Sequence, residues 1–165
     1  MFHYICLTVC SNRKYIINMI ELPEAITIGR QVEQTLAGRC ITNVYGATHL
    51  HKFTFFSGTP EEIRDSLVGR TVISAVGKGI FVDVCMDEDV FLSISDGINM
   101  RYGRPGDPVP SKYQLLITFD DESYVSFTTS MYGSISVFRH ALDNKYHTLS
   151  LESVSPLSEQ FDESF

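Results

Sequence analysis

The chain has 165 residues, and its hydrophobic share of 44% and charged share of 20% are those of a globular domain large enough to bury a core without staples. Its net charge is −7; residues 1–18 hold Arg13 and Lys14 and no acid, leaving 11 basic against 20 acidic residues in the remainder. That balance argues against tight, nonspecific nucleic-acid binding, which needs clustered Lys and Arg, though a local basic groove stays open. The four cysteines, Cys6, Cys10, Cys40 and Cys85, form no CxxC pair and no zinc-ligand spacing with histidine, so they read as reduced structural thiols in a cytoplasmic protein.

Residues 1–18 are apolar and then basic, the reverse of a signal peptide, and no run is long enough to span a bilayer. They read as an N-terminal extension outside the core, with the domain over 19–165. The first clear element is a helix over 22–37. Pro23 suits its first turn, Glu21 and Glu24 face the positive end of its dipole, and Ala25, Ile28, Val32 and Leu36 make one apolar face. Gly38 is a natural stop. A strand over 40–45 and an apolar stretch over 52–56 follow. Thr59-Pro60-Glu61-Glu62 has the form of a capping box and opens a short helix to about Val68.

The chain then repeats itself: Leu36-Ala37-Gly38-Arg39 and Leu67-Val68-Gly69-Arg70 each end a helix and launch a strand through Arg, and helix capping explains both. Strands are expected over 71–76, 80–86, 90–94, 113–119, 124–128 and 134–138. Asp87-Glu88-Asp89 and Asp120-Asp121-Glu122-Ser123 read as acidic turns, and 104–111, with three prolines and a glycine, as a loop. The expected fold class is α+β, mainly β: a two-layer antiparallel β-sandwich with an N-terminal helix and a short second helix. Residues 155–161 look like the start of a further helix.

Several motifs recur in a familiar order. Met19-Ile20-Glu21-Leu22-Pro23-Glu24 closely resembles the MPELPE start of the formamidopyrimidine-DNA glycosylase / endonuclease VIII family. Gly77-Lys78-Gly79-Ile80-Phe81 is similar to that family's G-K-hydrophobic hairpin, and Tyr132-Gly133 to the end of its R-R-F-G loop. Ser155-Pro156-Leu157-Ser158-Glu159-Gln160-Phe161 resembles its G-x-x-P-L-x-x-x-F segment. Order and spacing agree over 19–165. The resemblance implies a DNA glycosylase/AP-lyase domain of base excision repair, with damaged double-stranded DNA as partner. It implies no cofactor in this chain, because the family's zinc finger and helix–two-turn–helix module would lie beyond residue 165.

The family's chemistry runs through the secondary amine of an N-terminal proline. It attacks the deoxyribose C1′ of a flipped nucleotide, and the resulting iminium serves as an electron sink. Here that position is Ile20, so impaired catalysis is expected. Glu21 matches the proton-handling glutamate and Glu24 a second acid of the motif; without the amine, both also read as helix N-terminal charges. Lys78 matches a phosphate-contacting lysine and Tyr132 an aromatic wedge that stacks into the gap left by a flipped base. The departures are several. Ser130 and Met131 stand where two arginines belong, and Leu92-Ser93-Ile94-Ser95-Asp96-Gly97 replaces H-L-G-M-S-G, with Asp96 adding negative charge. These changes imply weak DNA binding at most, and leave open a non-catalytic DNA-binding or scaffold relative, or an inactive truncated fragment. His49 and His51 have no third ligand and make a poor zinc site.

Overall fold

A computed structural model describes residues 21–154 and 156. The 1–18 extension, Ile20 and nearly all of the 155–161 segment therefore lie outside the described residues. The element order is α1 (Leu22–Leu36), β1 (Ile41–Gly46), β2 (Thr54–Phe56), α2 (Pro60–Leu67), β3 (Val72–Lys78), β4 (Phe81–Met86), β5 (Val90–Ile94), β6 (Ile98–Gly103), β7 (Leu115–Phe119), β8 (Tyr124–Thr129), β9 (Gly133–Arg139) and α3 (Lys145–Glu152). Two sheets form, β1-β7-β8-β6 and β2-β9-β5-β4-β3. The α+β sandwich is as expected, with one difference: β2 runs parallel to β9, so the second sheet is mixed.

The core lies between the sheets. Val44, Leu115, Ile117, Val125 and Phe127 from one layer meet Val82, Val84, Leu92, Ile94 and Ile135 from the other. Each such side chain contributes roughly 1.5–3 kcal/mol when fully buried. α1 packs on β3 and β4 through Ala25, Ile28, Val32 and Leu36. At its crossing with β3 the two backbones meet at Gly29 and Gly77: a Cβ on Gly77 would lie 1.7 Å from Ala25 O, and one on Gly29 would lie 2.4 Å from Gly77 N.

The repeated Leu-x-Gly-Arg device does more than cap. Gly38 and Gly69 both sit at positive φ (85° and 82°), as helix-ending glycines do. The two copies then pair with each other. Gly38 N donates to Val72 O and Gly69 N to Ile41 O, while Ile41 N donates to Arg70 O and Val72 N to Arg39 O. This symmetrical staple joins the first strand of one sheet to the edge strand of the other. Its arginines take the acidic turns as partners: Arg70 pairs with Glu88 at 2.6 Å, and Arg39 pairs with Asp121. Burial pushes the Asp121 carboxyl up, but the Ser123 hydroxyl and amide and the Arg39 guanidinium together hold it below the usual carboxylate range.

Two elements were not expected. β6 carries a strand's alternation, with Ile98 and Met100 buried and Asn99 and Arg101 turned outward. α3 covers the outer face of β4, which explains why Phe81 is buried along with Val82 although successive strand residues point to opposite faces.

Candidate nucleic-acid interface

The register of the five-stranded sheet decides which expected residues come together. Lys78 pairs with Phe81, Val82 with Ile94, Ile94 with Ile135, and Gly133 with Thr54. Lys78, Asp96 and Tyr132 therefore all stand at one end of this sheet. Lys78 ends β3 and Tyr132 precedes β9, three strand spacings away, or roughly 14 Å along the sheet.

At the β3 corner, the start of α1, the β3–β4 hairpin and α3 enclose a cleft of about 310 Å³, lined by Leu22, Lys78, Ile80 and Leu149 among others. Gly79 turns the hairpin at φ 60°, and its bare Cα lets α3 approach: a Cβ there would lie 2.4 Å from Ser150 Oγ. The Lys78 ammonium donates to the Leu151 carbonyl, one of the acceptors that the end of α3 leaves unpaired. An ammonium has three N–H donors, so this bond occupies one and leaves the charge at the cleft wall. Next to the cleft residue Leu22, Glu21 is the exposed N-cap of α1, and the Glu24 carboxylate accepts the Glu21 N–H at 3.3 Å. That is one arm of a capping box, and it gives Glu24 a structural role at the helix start.

At the β9 corner, the 130–133 turn lies against the 95–98 segment. Gly97, at φ 78°, passes so close that a Cβ would lie 1.8 Å from Tyr132 O. Tyr132 is 45% exposed, so its ring is not a core residue. Its side chain hydrogen-bonds the Asp96 carboxyl, which is buried. Burial pushes that carboxyl above its ordinary value, and the Tyr132 bond opposes the shift without cancelling it. The Asp96 charge anticipated at this surface is thus turned inward, under Tyr132.

The sign of the pH effect follows. A carboxyl with a raised native pKa binds its proton more tightly folded than unfolded, so stability lost at neutral pH returns as pH falls through the native pKa. Asp96→Asn, whose amide oxygen still accepts from Tyr132, is expected to raise the melting temperature at pH 7. The two proteins should converge as the pH approaches 3.8, the ordinary value for this group. A gap that does not change between those limits, in calorimetric scans, would contradict the assignment.

The structure thus sets Lys78 and Leu22, at the start of α1, on one cleft, leaves Glu21 and Glu24 in the α1 capping box outside its lining, and places Tyr132 at the far corner of the same sheet end. Sequence reasoning passed over Asp83 and His147, which bond each other at 2.8 Å behind the cleft (Nε2 to Oδ2).

No protein-family profile matches the chain, and no curated protein sequence does. Solved structures do match. The Lactococcus lactis Fpg in complex with abasic-site DNA aligns at TM-score 0.63 and 20% identity, over 73% of this chain and 44% of that one. The formamidopyrimidine-DNA glycosylase of the same organism, bound non-covalently to DNA containing an AP site, aligns at 0.63 and 19%, over 78% and 48%. A MutM complex with DNA containing carbocyclic 8-oxo-G aligns at 0.62 and 19%, over 73% and 45%. The chain has the fold of the formamidopyrimidine-DNA glycosylase N-terminal domain. It spans less than half the length of these Fpg structures.

Proposed function

We propose that the chain is a DNA-repair glycosylase-type domain that holds damaged double-stranded DNA across the Lys78–Tyr132 end of its five-stranded sheet and is impaired in the glycosylase/lyase chemistry. The observation that carries this reading is the position of Lys78, beside the start of α1, and of Tyr132 at the two corners of one sheet end, on a fold shared with proteins solved on damaged DNA. In this reading Lys78 offers its remaining donors to a phosphate and the half-exposed Tyr132 ring stacks beside an unstacked base.

Impairment follows from the nitrogen at position 20. Bonded to Met19, it is an amide whose lone pair is delocalised into the carbonyl, so it does not attack C1′. Glu21 can still hold a proton but has no iminium to serve. The cofactor reading is that this portion uses none.

Binding and chemistry are tested together. Anisotropy with an abasic-site duplex and an intact duplex is expected to show salt-sensitive binding that favours the abasic site. Borohydride treatment of the abasic complex is expected to leave no covalent adduct. Equal binding to both duplexes, vanishing at moderate salt, would reduce the interaction to nonspecific attraction. A trapped adduct would overturn the impairment.

A further inference from the structure

The twenty acidic residues are unevenly placed: residues 34–60, 108–119 and 123–142 contain none. The fold brings these three segments together beside Tyr132. β2 lies parallel to β9, and Gly133 N donates to Phe53 O at 3.1 Å. Thr48 N donates to Tyr113 O at 3.0 Å, and Tyr113 N returns a bond to Thr48 Oγ1 at 3.1 Å. Buried Gln114 donates to His49 O at 2.9 Å and accepts from His51 N at 3.2 Å. The backbone of the 47–53 loop is therefore fixed from below before any partner arrives, which lowers the ordering cost on binding to that of its side chains.

What this fixed loop presents is aromatic and cationic. Phe53 is 47% exposed, and the Lys52 ammonium sits 5.3 Å from its ring centroid. Met131 and Tyr132 are exposed to a similar extent on the adjoining turn. Large apolar groups left in water at one corner mark an interaction surface. The acid-free segments and Lys52 favour an anionic partner, the one neighbouring carboxyl, Asp96, being buried under Tyr132, in a chain whose net charge is −7.

We propose that the 49–53 loop, with Met131 and Tyr132, is a stacking platform for unpaired nucleotides, on which Phe53 takes a base face and Lys52 the adjoining phosphate. The inference rests on the nucleic-acid reading above and extends it to a single-stranded stretch. Few cations stand here, so phosphate attraction alone is weak, and affinity must come from stacking. A duplex hides its base faces, whereas an unpaired strand offers one at every nucleotide.

The test uses the full chain and a labelled oligothymidylate of about twelve nucleotides, followed by anisotropy at several salt concentrations. Phe53→Ala is expected to weaken binding about tenfold, and Phe53→Tyr to restore it. Lys52→Gln should lower the slope of log affinity against log salt by about 0.7. Unchanged oligothymidylate binding in both Phe53→Ala and Lys52→Gln, with abasic-duplex binding intact, would overturn this inference and leave the earlier reading standing. No binding of the wild type to any nucleic acid would overturn both. Self-association that disappears in Phe53→Ala, without loss of oligonucleotide binding, would show a protein contact instead and overturn the platform.

Discussion

Gly77→Ala is expected to destabilise the domain by about 3 kcal/mol or more, a large share of the ~5–15 kcal/mol available to a domain of this kind. The added methyl would lie 1.7 Å from Ala25 O and 2.0 Å from Ala25 C. These are backbone atoms of α1, so no rotamer change relieves the clash; the helix must lift from β3. Leu22 would move with it, and the cleft beside Lys78 would widen. Gly29→Ala meets the same crossing from the helix side, 2.4 Å from Gly77 N, but gains roughly 1 kcal/mol of helix propensity in return and should cost less. Gly38→Ala separates close approach from strain. Gly38 has φ 85°, and a methyl there would meet nothing within 4 Å, so only the left-handed penalty of about 1–2 kcal/mol applies. Urea titration of the three variants gives the order. A Gly77→Ala protein within about 0.5 kcal/mol of wild type, the size of an ordinary surface change, would refute the backbone contact.

That contact shows what a sequence reveals and what it conceals. α1 was legible because Ala25, Ile28, Val32 and Leu36 carry its period, and α2 because Thr59 and Glu62 complete a capping box that the structure shows in both directions, at 3.2 and 2.8 Å. Both signals are local. Gly29 and Gly77 stand 48 positions apart, and neither breaks the pattern of its own element, so their need for each other exists only once the helix lies on the strand. The parallel β2–β9 pair is hidden for the same reason: a three-residue edge strand has no pattern that chooses its neighbour or direction. β6 differs, since its alternation was present in Ile98-Asn99-Met100-Arg101 and could have been found. At the candidate site, the ordered motifs singled out Glu21, Lys78 and Tyr132, and the structure shows Lys78 and Tyr132 at one end of the five-stranded sheet. The inward turn of Asp96 and the bond from Lys78 to Leu151 depend on tertiary contacts that no spacing encodes.

α3 is the extreme case of such concealment, and it supplies the second large prediction. Tyr146, Leu149 and Leu151 are exposed, and among its residues only His147 is buried. An eight-residue helix does not persist on its own propensity, so its anchors must hold it. The Asn144 side chain accepts from Tyr146 N and His147 N at 2.9 and 3.3 Å, Lys78 takes the Leu151 carbonyl, and His147 inserts between Phe81 and Phe138 to bond Asp83. The Asp83 Oδ1 atom is buried and has no hydrogen-bond partner among the described residues, so within them His147 is the group that satisfies this carboxyl. His147→Leu preserves bulk and removes the bond. It is expected to cost about 3 kcal/mol, because a buried polar group that loses its partner costs more than the pair contributed. Amide exchange across α3 should accelerate while the β4 and β5 amides stay protected, since the loss is local to the helix. Replacing both residues, His147→Leu with Asp83→Leu, should recover most of the stability, because two apolar side chains leave nothing unpaired. If the double variant is as unstable as the sum of the single ones, the two residues act independently, and α3 is held over the cleft by its remaining contacts.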